Sequence, residues 1–216
     1  MPPSLVVFDL DGTLVDTAQD LADSLIRVVR RELGQERSPE QVITAVGWGA
    51  RNLVRTVLGP AYEARTDEIL AAFRADYRAN LVVATRPYPG VPALLEALQE
   101  RGVRQAVLTN KPGALSRELV RQLELDRRFE AVWGPEDVPR KKPAPEALWA
   151  LLDHLQVRRE DALMVGDMET DIDSARAAGV RSVLLTVSEF RRPPGLAARA
   201  DAVVATVEEL RALLLA

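Results

Sequence analysis

Six short apolar runs, separated by segments of helical length, limit what this chain can become. They are Leu5–Phe8, Val103–Leu108, Phe129–Trp133, Ala162–Val165, Val180–Leu185 and, as an edge candidate, Ala202–Val204. Runs this short and continuous read as strands buried on both faces, which occur where helices cover a parallel sheet. The intervening segments supply the helices: 92–101 closing at Gly102, one marked by Leu115, Leu119 and Leu123, and one by Leu148, Leu151, Leu152 and Leu155. A short helix closing at Gly179 and a last one over Val207–Leu215 complete the set. The expected class is α/β, a doubly wound parallel sheet between two helical layers.

Residues 16–86 interrupt that alternation. Thr17–Leu33 carries Leu21, Leu25, Ile26, Val28, Val29 and Leu33 on one broad face and stops at Gly34. Ser38-Pro39-Glu40-Gln41 combines a capping serine, a proline at the first helical position and a glutamine three residues after the cap. Gly47-Trp48-Gly49 breaks this helix, another runs over Ala50–Leu58, and the next carries Ile69, Phe73, Tyr77 and Leu81 at intervals of four. With no strand-like alternation, 16–86 is expected to be an inserted helical domain. Residues 1–15 and 87–216 then form the sheet domain, and Pro87-Tyr88-Pro89-Gly90 closes the insert.

Open parallel sheets take ligands beyond the carboxyl ends of their strands, so the residues ending each run are the candidates. The first run ends at Asp9, and Asp11 projects from the same side of an extended chain. Gly12 permits a sharp turn immediately afterwards. Two carboxylates aimed at one point repel unless a cation or a proton lies between them. Asp16-Thr17 is available to start the next helix, so the earlier pair is not needed as a cap. The second run delivers Thr109-Asn110, and the fourth delivers Gly166-Asp167 with Asp171 four residues on. Lys141-Lys142-Pro143-Ala144-Pro145 lies between the third and fourth runs. Carboxylates, a hydroxyl and a lysine around one crevice suit a hard divalent cation beside a phosphate.

Composition narrows the partners. A net charge of -4 provides no basic face for a nucleic-acid backbone or a membrane. No apolar run approaches the ~18 residues of a membrane span. The absence of cysteine excludes disulfides, thiolate metal sites and cysteine nucleophiles. Met1-Pro2-Pro3-Ser4 lacks the start of a signal peptide, so a cytoplasmic enzyme acting on a small molecule is expected, as monomer or homodimer.

Phe8-Asp9-Leu10-Asp11-Gly12-Thr13-Leu14 resembles the first motif of the haloacid dehalogenase-like phosphohydrolases. Leu108-Thr109-Asn110 is similar to the second, Lys142-Pro143-Ala144-Pro145 to the third, and Val165-Gly166-Asp167 with Asp171 to the fourth. The motifs fall in order over essentially the whole chain. The resemblance implies a Rossmann-like core with a mobile α-helical cap, and magnesium-dependent hydrolysis of a phosphomonoester through an aspartyl-phosphate. By the same resemblance Asp9 is the nucleophile and Asp11 the general acid and base. Mg2+ is held by Asp9, Asp167 and the main-chain carbonyl of Asp11, with Asp171 orienting either its water shell or Lys142. Thr109 and Asn110 hold phosphoryl oxygens with Gly12 beside them, and Lys142 offsets the charge that Asp9 and the phosphate bring together.

Within the family the residues favour a phosphatase. Dehalogenases usually lack an acid where Asp11 stands, and phosphonatases need a Schiff-base lysine in the cap, whereas 16–86 contains no lysine. Phosphosugar mutases often carry valine where Thr13 stands. Val46–Leu53 resembles the Gly-x-Gly loop of phosphoglycolate phosphatases, and Pro87–Val91 their return hinge. That implies 2-phosphoglycolate as substrate, with Gly47, Trp48, Gly49 and Arg51 near it, Arg51 either assisting or solvated. The alternatives are another small sugar or nucleotide monophosphate, a mutase, or, from a different class, a receiver-like phospho-acceptor domain. His154 is expected at the surface, and Arg191-Arg192-Pro193-Pro194 is a solvated loop or a border of the site.

Overall fold

In the computed structural model, which describes residues 3–216, the first apolar run is strand β1 (Leu5–Phe8). Met1 and Pro2, part of the stretch read against a signal peptide, lie outside the described residues. The chain continues through β2 (Val15–Asp16), α1 (Ala18–Leu33), α2 (Pro39–Ile43), α3 (Ala50–Leu58), α4 (Thr66–Ala79) and β3 (Arg86–Pro87). Beyond these come α5 (Val91–Glu100), β4 (Arg104–Leu108), α6 (Gly113–Gln122), β5 (Ala131–Trp133), α7 (Glu146–Leu155) and β6 (Ala162–Gly166). The last elements are α8 (Glu169–Ala178), β7 (Arg181–Leu185), β8 (Ala202–Val204) and α9 (Val207–Leu215). None of the described helices is long and apolar enough to cross a membrane.

Six strands form a parallel sheet in the order β5-β4-β1-β6-β7-β8. Successive side chains of a strand face opposite ways. Accordingly, Leu5 and Val7 join the apolar cluster under α7 and α8, while Val6 and Phe8 join the one under α5, α6 and α9. The second cluster runs on into the insert, taking in Leu25, Leu53, Ile69 and Phe73. Fully burying side chains of this size stabilises by roughly 1.5–3 kcal/mol each before entropic costs. Strand order reverses around β1, so the crevice that such folds use for ligands opens beside Asp9.

The insert has the expected helices and caps. Gly34 ends α1 in the left-handed region, and Ser38 with Gln41 forms a reciprocal capping box on α2. One feature was not expected: Val15 pairs with Pro87 and Asp16 with Arg86 in an antiparallel ribbon at the base of the insert. Two-residue strands are too short to show period-two alternation. Nearby, the buried carboxylate of Asp20 accepts the amide hydrogens of Val83, Ala84 and Thr85 at 2.8–3.0 Å, and the Thr85 hydroxyl at 2.7 Å. Those amides belong to the irregular return segment, and this carboxylate is what ties them to α1.

Candidate active site

Sheet register brings the motif residues together. Phe8 lies opposite Val107 on one side and Val165 on the other, so the ends of the three central strands are level. The Asp9 amide still donates to the Val165 carbonyl at 2.9 Å, which fixes the base of its side chain. The carboxylates of Asp9, Asp167 and Asp171 have oxygens all within 4.8 Å of one another, and all three residues are buried.

Lys142 is the counter-charge. Its ammonium lies 3.0 Å from Asp9 Oδ1 and 2.5 Å from Asp171 Oδ1, and it donates to the Leu108 carbonyl at 2.6 Å. Burial works to lower its pKa, but the charges of Asp171 and Asp9 outweigh that and raise it, so it stays cationic. Asp9 is pushed up to about 7 by burial and by the Asp171 charge, with Lys142 only partly offsetting them. Burial, Asp171 and Asp9 hold Asp167 well above the ordinary carboxylate range. Asp171 also accepts the Met168 amide at 3.0 Å and so caps α8.

Other residues pin this cluster. Asp167 accepts the hydroxyls of Thr13 at 3.2 Å and Ser188 at 2.5 Å. Arg192 donates to the Asp167 carbonyl at 2.8 Å and to Ser188 Oγ at 2.7 Å, so the Arg191–Pro194 loop borders the site. Asn110 donates its side-chain amide to the Lys142 carbonyl at 3.1 Å, and Thr109 Oγ1 accepts the Lys111 amide at 3.2 Å.

Asp9, Asp11, Thr109 and Asn110 face a cavity of about 70 Å³ roofed by the insert. Gly47, Gly49, Ala50, Leu53, Phe73 and Tyr77 contribute from the roof, and Lys111, Leu115 and Met168 from the sheet side. Lys111 is a functional candidate that the sequence motifs do not single out. Its ammonium donates to Asp11 Oδ1 at 3.0 Å and Oδ2 at 3.2 Å, and to the Tyr77 hydroxyl of α4 at 2.8 Å. Its place directly after Thr109-Asn110, in a chain with only three lysines, was the available signal.

Three expected substrate contacts sit elsewhere. The Gly12 amide is taken by the Val15 carbonyl at 2.9 Å. The role of Gly12 is steric: with φ at +82°, an added Cβ would run into Asp167 Oδ2 and the Phe190 ring. The Trp48 side chain is 40% exposed and lies outside the cavity wall, while its carbonyl accepts Lys141 at 3.1 Å. Arg51 turns to the surface of α3 and pairs with Asp67, because position 51 lies on the outer face of the helix. Gly47 and Gly49 do line the cavity; a side chain at Gly47 would collide with the Met168 side chain.

Comparison with known proteins agrees with this geometry. The family model described as haloacid dehalogenase-like hydrolase matches residues 6–185. The chain belongs to the haloacid dehalogenase-like hydrolases. Among curated members of the family, a phosphoglycolate phosphatase of Aquifex aeolicus is 38% identical over 181 residues, covering 83% of each chain. One from Pseudomonas putida is 38% identical and covers 98% of this chain and 79% of its own length. The crystal structure of a predicted phosphoglycolate phosphatase from Haemophilus somnus 129pt superposes with a TM-score of 0.89 at 29% identity, covering 97% of both chains. The expected family, parallel-sheet fold and enzyme class, a phosphatase of the haloacid dehalogenase-like hydrolases, are those that these comparisons return.

The donor set fits a divalent cation. Three buried carboxylates face one fully buried lysine, with Arg192 3.8 Å from Asp167 at the edge, so three negative charges against two positive leave an excess of negative charge in a low-dielectric corner. Asp9 Oδ1 is a buried acceptor with no aligned hydrogen-bond donor among the described residues, although Lys142 is close to it. All the ligand atoms are carboxylate oxygens, the preference of magnesium.

Proposed function

We propose that the protein is a magnesium-dependent phosphomonoester hydrolase that works through an aspartyl-phosphate on Asp9, with 2-phosphoglycolate as its substrate. One observation carries the reading: Asp9 and Asp11 open onto a single small cavity, while Lys142, Asp167 and Asp171 crowd the same corner from behind.

An Asp9 oxygen attacks phosphorus as the bond to the ester oxygen breaks, and Asp11 gives its proton to that oxygen. Water then attacks the acyl-phosphate, Asp11 takes the water's proton, and the Asp9 carboxylate is released with inorganic phosphate. Asp9 and Asp167 would hold magnesium together with the Asp11 carbonyl, and the ion would supply charge neutralisation at the phosphoryl oxygens. Asp171 acts through Lys142, to which it is bonded. Lys142 balances the charge that nucleophile and phosphate bring together. Thr109 keeps its hydroxyl proton free for a phosphoryl oxygen, since its Oγ1 already accepts the Lys111 amide.

Residues 16–86 serve as the cap and 1–15 with 87–216 as the catalytic core, the β2–β3 ribbon being the hinge between them. The names of the curated relatives support phosphoglycolate. So does the cavity: about 70 Å³ is room for roughly five water-sized spheres. That suits a short leaving group. The test is phosphate release from a panel of phosphomonoesters, with magnesium or with chelator, for the wild type and Asp9→Asn. A much higher kcat/KM for a sugar or nucleotide monophosphate would reject the substrate, and undiminished turnover by Asp9→Asn would reject the mechanism.

A further inference from the structure

We propose that Lys111 of the core and Tyr77 of the insert together form the receptor for a carboxylate on the substrate's leaving group. The inference rests on the phosphatase reading and gives its substrate preference a location.

Both groups are built into the cavity wall and nearly excluded from water: Tyr77 is 2% exposed and Lys111 7%. A lysine ammonium carries three donors and a phenol one donor besides its acceptor lone pairs. Lys111 directs one donor at Tyr77 and the others at the two oxygens of Asp11, and a substrate carboxylate takes the place of the longer of these, Asp11 Oδ2 at 3.2 Å. The Tyr77 hydroxyl accepts from Lys111, and nothing among the described residues accepts its own proton. Burial pushes the Tyr77 phenol up to about 12, so the proton is present to be donated at neutral pH.

Position follows from the chemistry. Asp11 must meet the ester oxygen, and the Lys111 nitrogen is 3.0 Å from an Asp11 oxygen. A carboxylate on the carbon next to the ester oxygen therefore falls within reach of that nitrogen, at the ~2.8 Å of a charge-assisted hydrogen bond. Leu21, Leu53, Phe73 and Leu115 of the wall offer such an anion nothing, and Arg74, the other cation lining the cavity, is solvent-exposed on α4 where Lys111 and Tyr77 are buried. Lys142, the other buried lysine, lies behind Asp9 and does not line the cavity. Because one donor comes from α4 and the other from the loop after β4, the receptor is complete only when insert and core are together.

The experiment compares two substrates of equal length, 2-phosphoglycolate and 2-hydroxyethyl phosphate, whose leaving group carries no charge, with wild type, Lys111→Gln and Tyr77→Phe in excess magnesium. Removing a hydrogen bond to a charged group is expected to lower kcat/KM for phosphoglycolate by about 10- to 100-fold. For hydroxyethyl phosphate the change should be no more than about 3-fold, so selectivity itself collapses. Tyr77→Phe deletes only the hydroxyl, so it preserves the packing of Tyr77 on Phe73 and guards against a folding artefact in Lys111→Gln. Equal losses on both substrates would show that Lys111 acts only by positioning Asp11, overturning the inference while leaving the phosphatase intact. So would a wild type that does not distinguish the two esters. Failure of the wild type to release phosphate from either would sink the phosphatase reading along with it.

Discussion

The Lys142 ammonium and the Asp171 carboxylate meet at 2.5 Å in a place that water does not reach, with side-chain exposures of 1% and 0%. Asp9 shares the same nitrogen at 3.0 Å. A buried cation between two carboxylates matters twice, once for folding and once for the charge of the transferring phosphoryl group.

Lys142→Ala is expected to lose about a thousandfold in kcat, because one charge pair at 4 Å and an effective dielectric near 20 contributes about 4 kcal/mol. Leaving Asp9 and Asp171 buried without a cation should also cost about 3–5 kcal/mol of stability. Rapid-quench phosphate release and urea unfolding separate the two effects. Wild-type turnover in this variant would remove Lys142 from the mechanism.

Metal removal should couple stability to pH through Asp9. Its pKa rises from 3.8 to about 7 on folding, so the fold resists charging it. That penalty is absent below pH ~4, accumulates as pH climbs through 4 to 7, and is complete above, reaching at most about 4 kcal/mol. In chelator, the wild type should therefore be less stable at pH 8 than this group alone would make it at pH 5. Asp9→Asn should lessen the difference, with Asp167, whose pKa is raised in the same sense, keeping its own share, and magnesium should restore stability mostly at the higher pH. A urea midpoint for Asp9→Asn that falls from pH 5 to pH 8 as steeply as wild type would contradict the assignment.

Gly12→Ala should be among the most damaging small substitutions. The new methyl would lie 2.6 Å from Phe190 Cδ2 and against Asp167 Oδ2, on a backbone held at a φ of +82°. The expected loss is about 1–3 kcal/mol from the strained backbone alone, together with weaker magnesium binding. Calorimetric titration with magnesium is the direct check.

Asp20→Ala removes the acceptor for the amides of Val83, Ala84 and Thr85. Burial favours the neutral acid, but the Thr85 hydroxyl and these amides overcome it and lower the pKa below 3.8. Its contribution is thus present above pH ~4 and is lost as pH falls through the lower folded value. Hydrogen exchange at residues 83–85 should accelerate in Asp20→Ala by about 5- to 100-fold, matching a loss of about 1–3 kcal/mol. Unchanged exchange would mean that the segment is held from elsewhere.

Asp9, Thr109, Asp167 and Lys142 were legible in sequence because a parallel sheet aligns strand ends and each of them ends a strand or a connection. Lys111 and Tyr77 were not, since their meeting depends on how the insert lies over the core, a contact between positions 34 residues apart in the chain. Tyr77 looked like one more apolar position in a four-residue repeat, which it also is, stacking on Phe73. Ser188 lies in a segment without periodicity, so only the fold reveals its grip on Asp167, whereas for Arg192 the fold selects the second of two sequence readings, a border of the site. The sequence leaves Arg51 between substrate and solvent because a helix start near the site does not say which way its side chains point; pairing with Asp67 on the outer face is the solvated alternative.

The ribbon joining Val15–Asp16 to Arg86–Pro87 brings entry and exit of the helical insert side by side. To the sheet, those seventy-odd residues therefore weigh little more than a tight bend, since the closure cost of a chain segment grows only slowly with its length. Different bundles can be exchanged at that doorway while the carboxylates beneath stay where they are, so such a scaffold can acquire a new taste without relearning its chemistry.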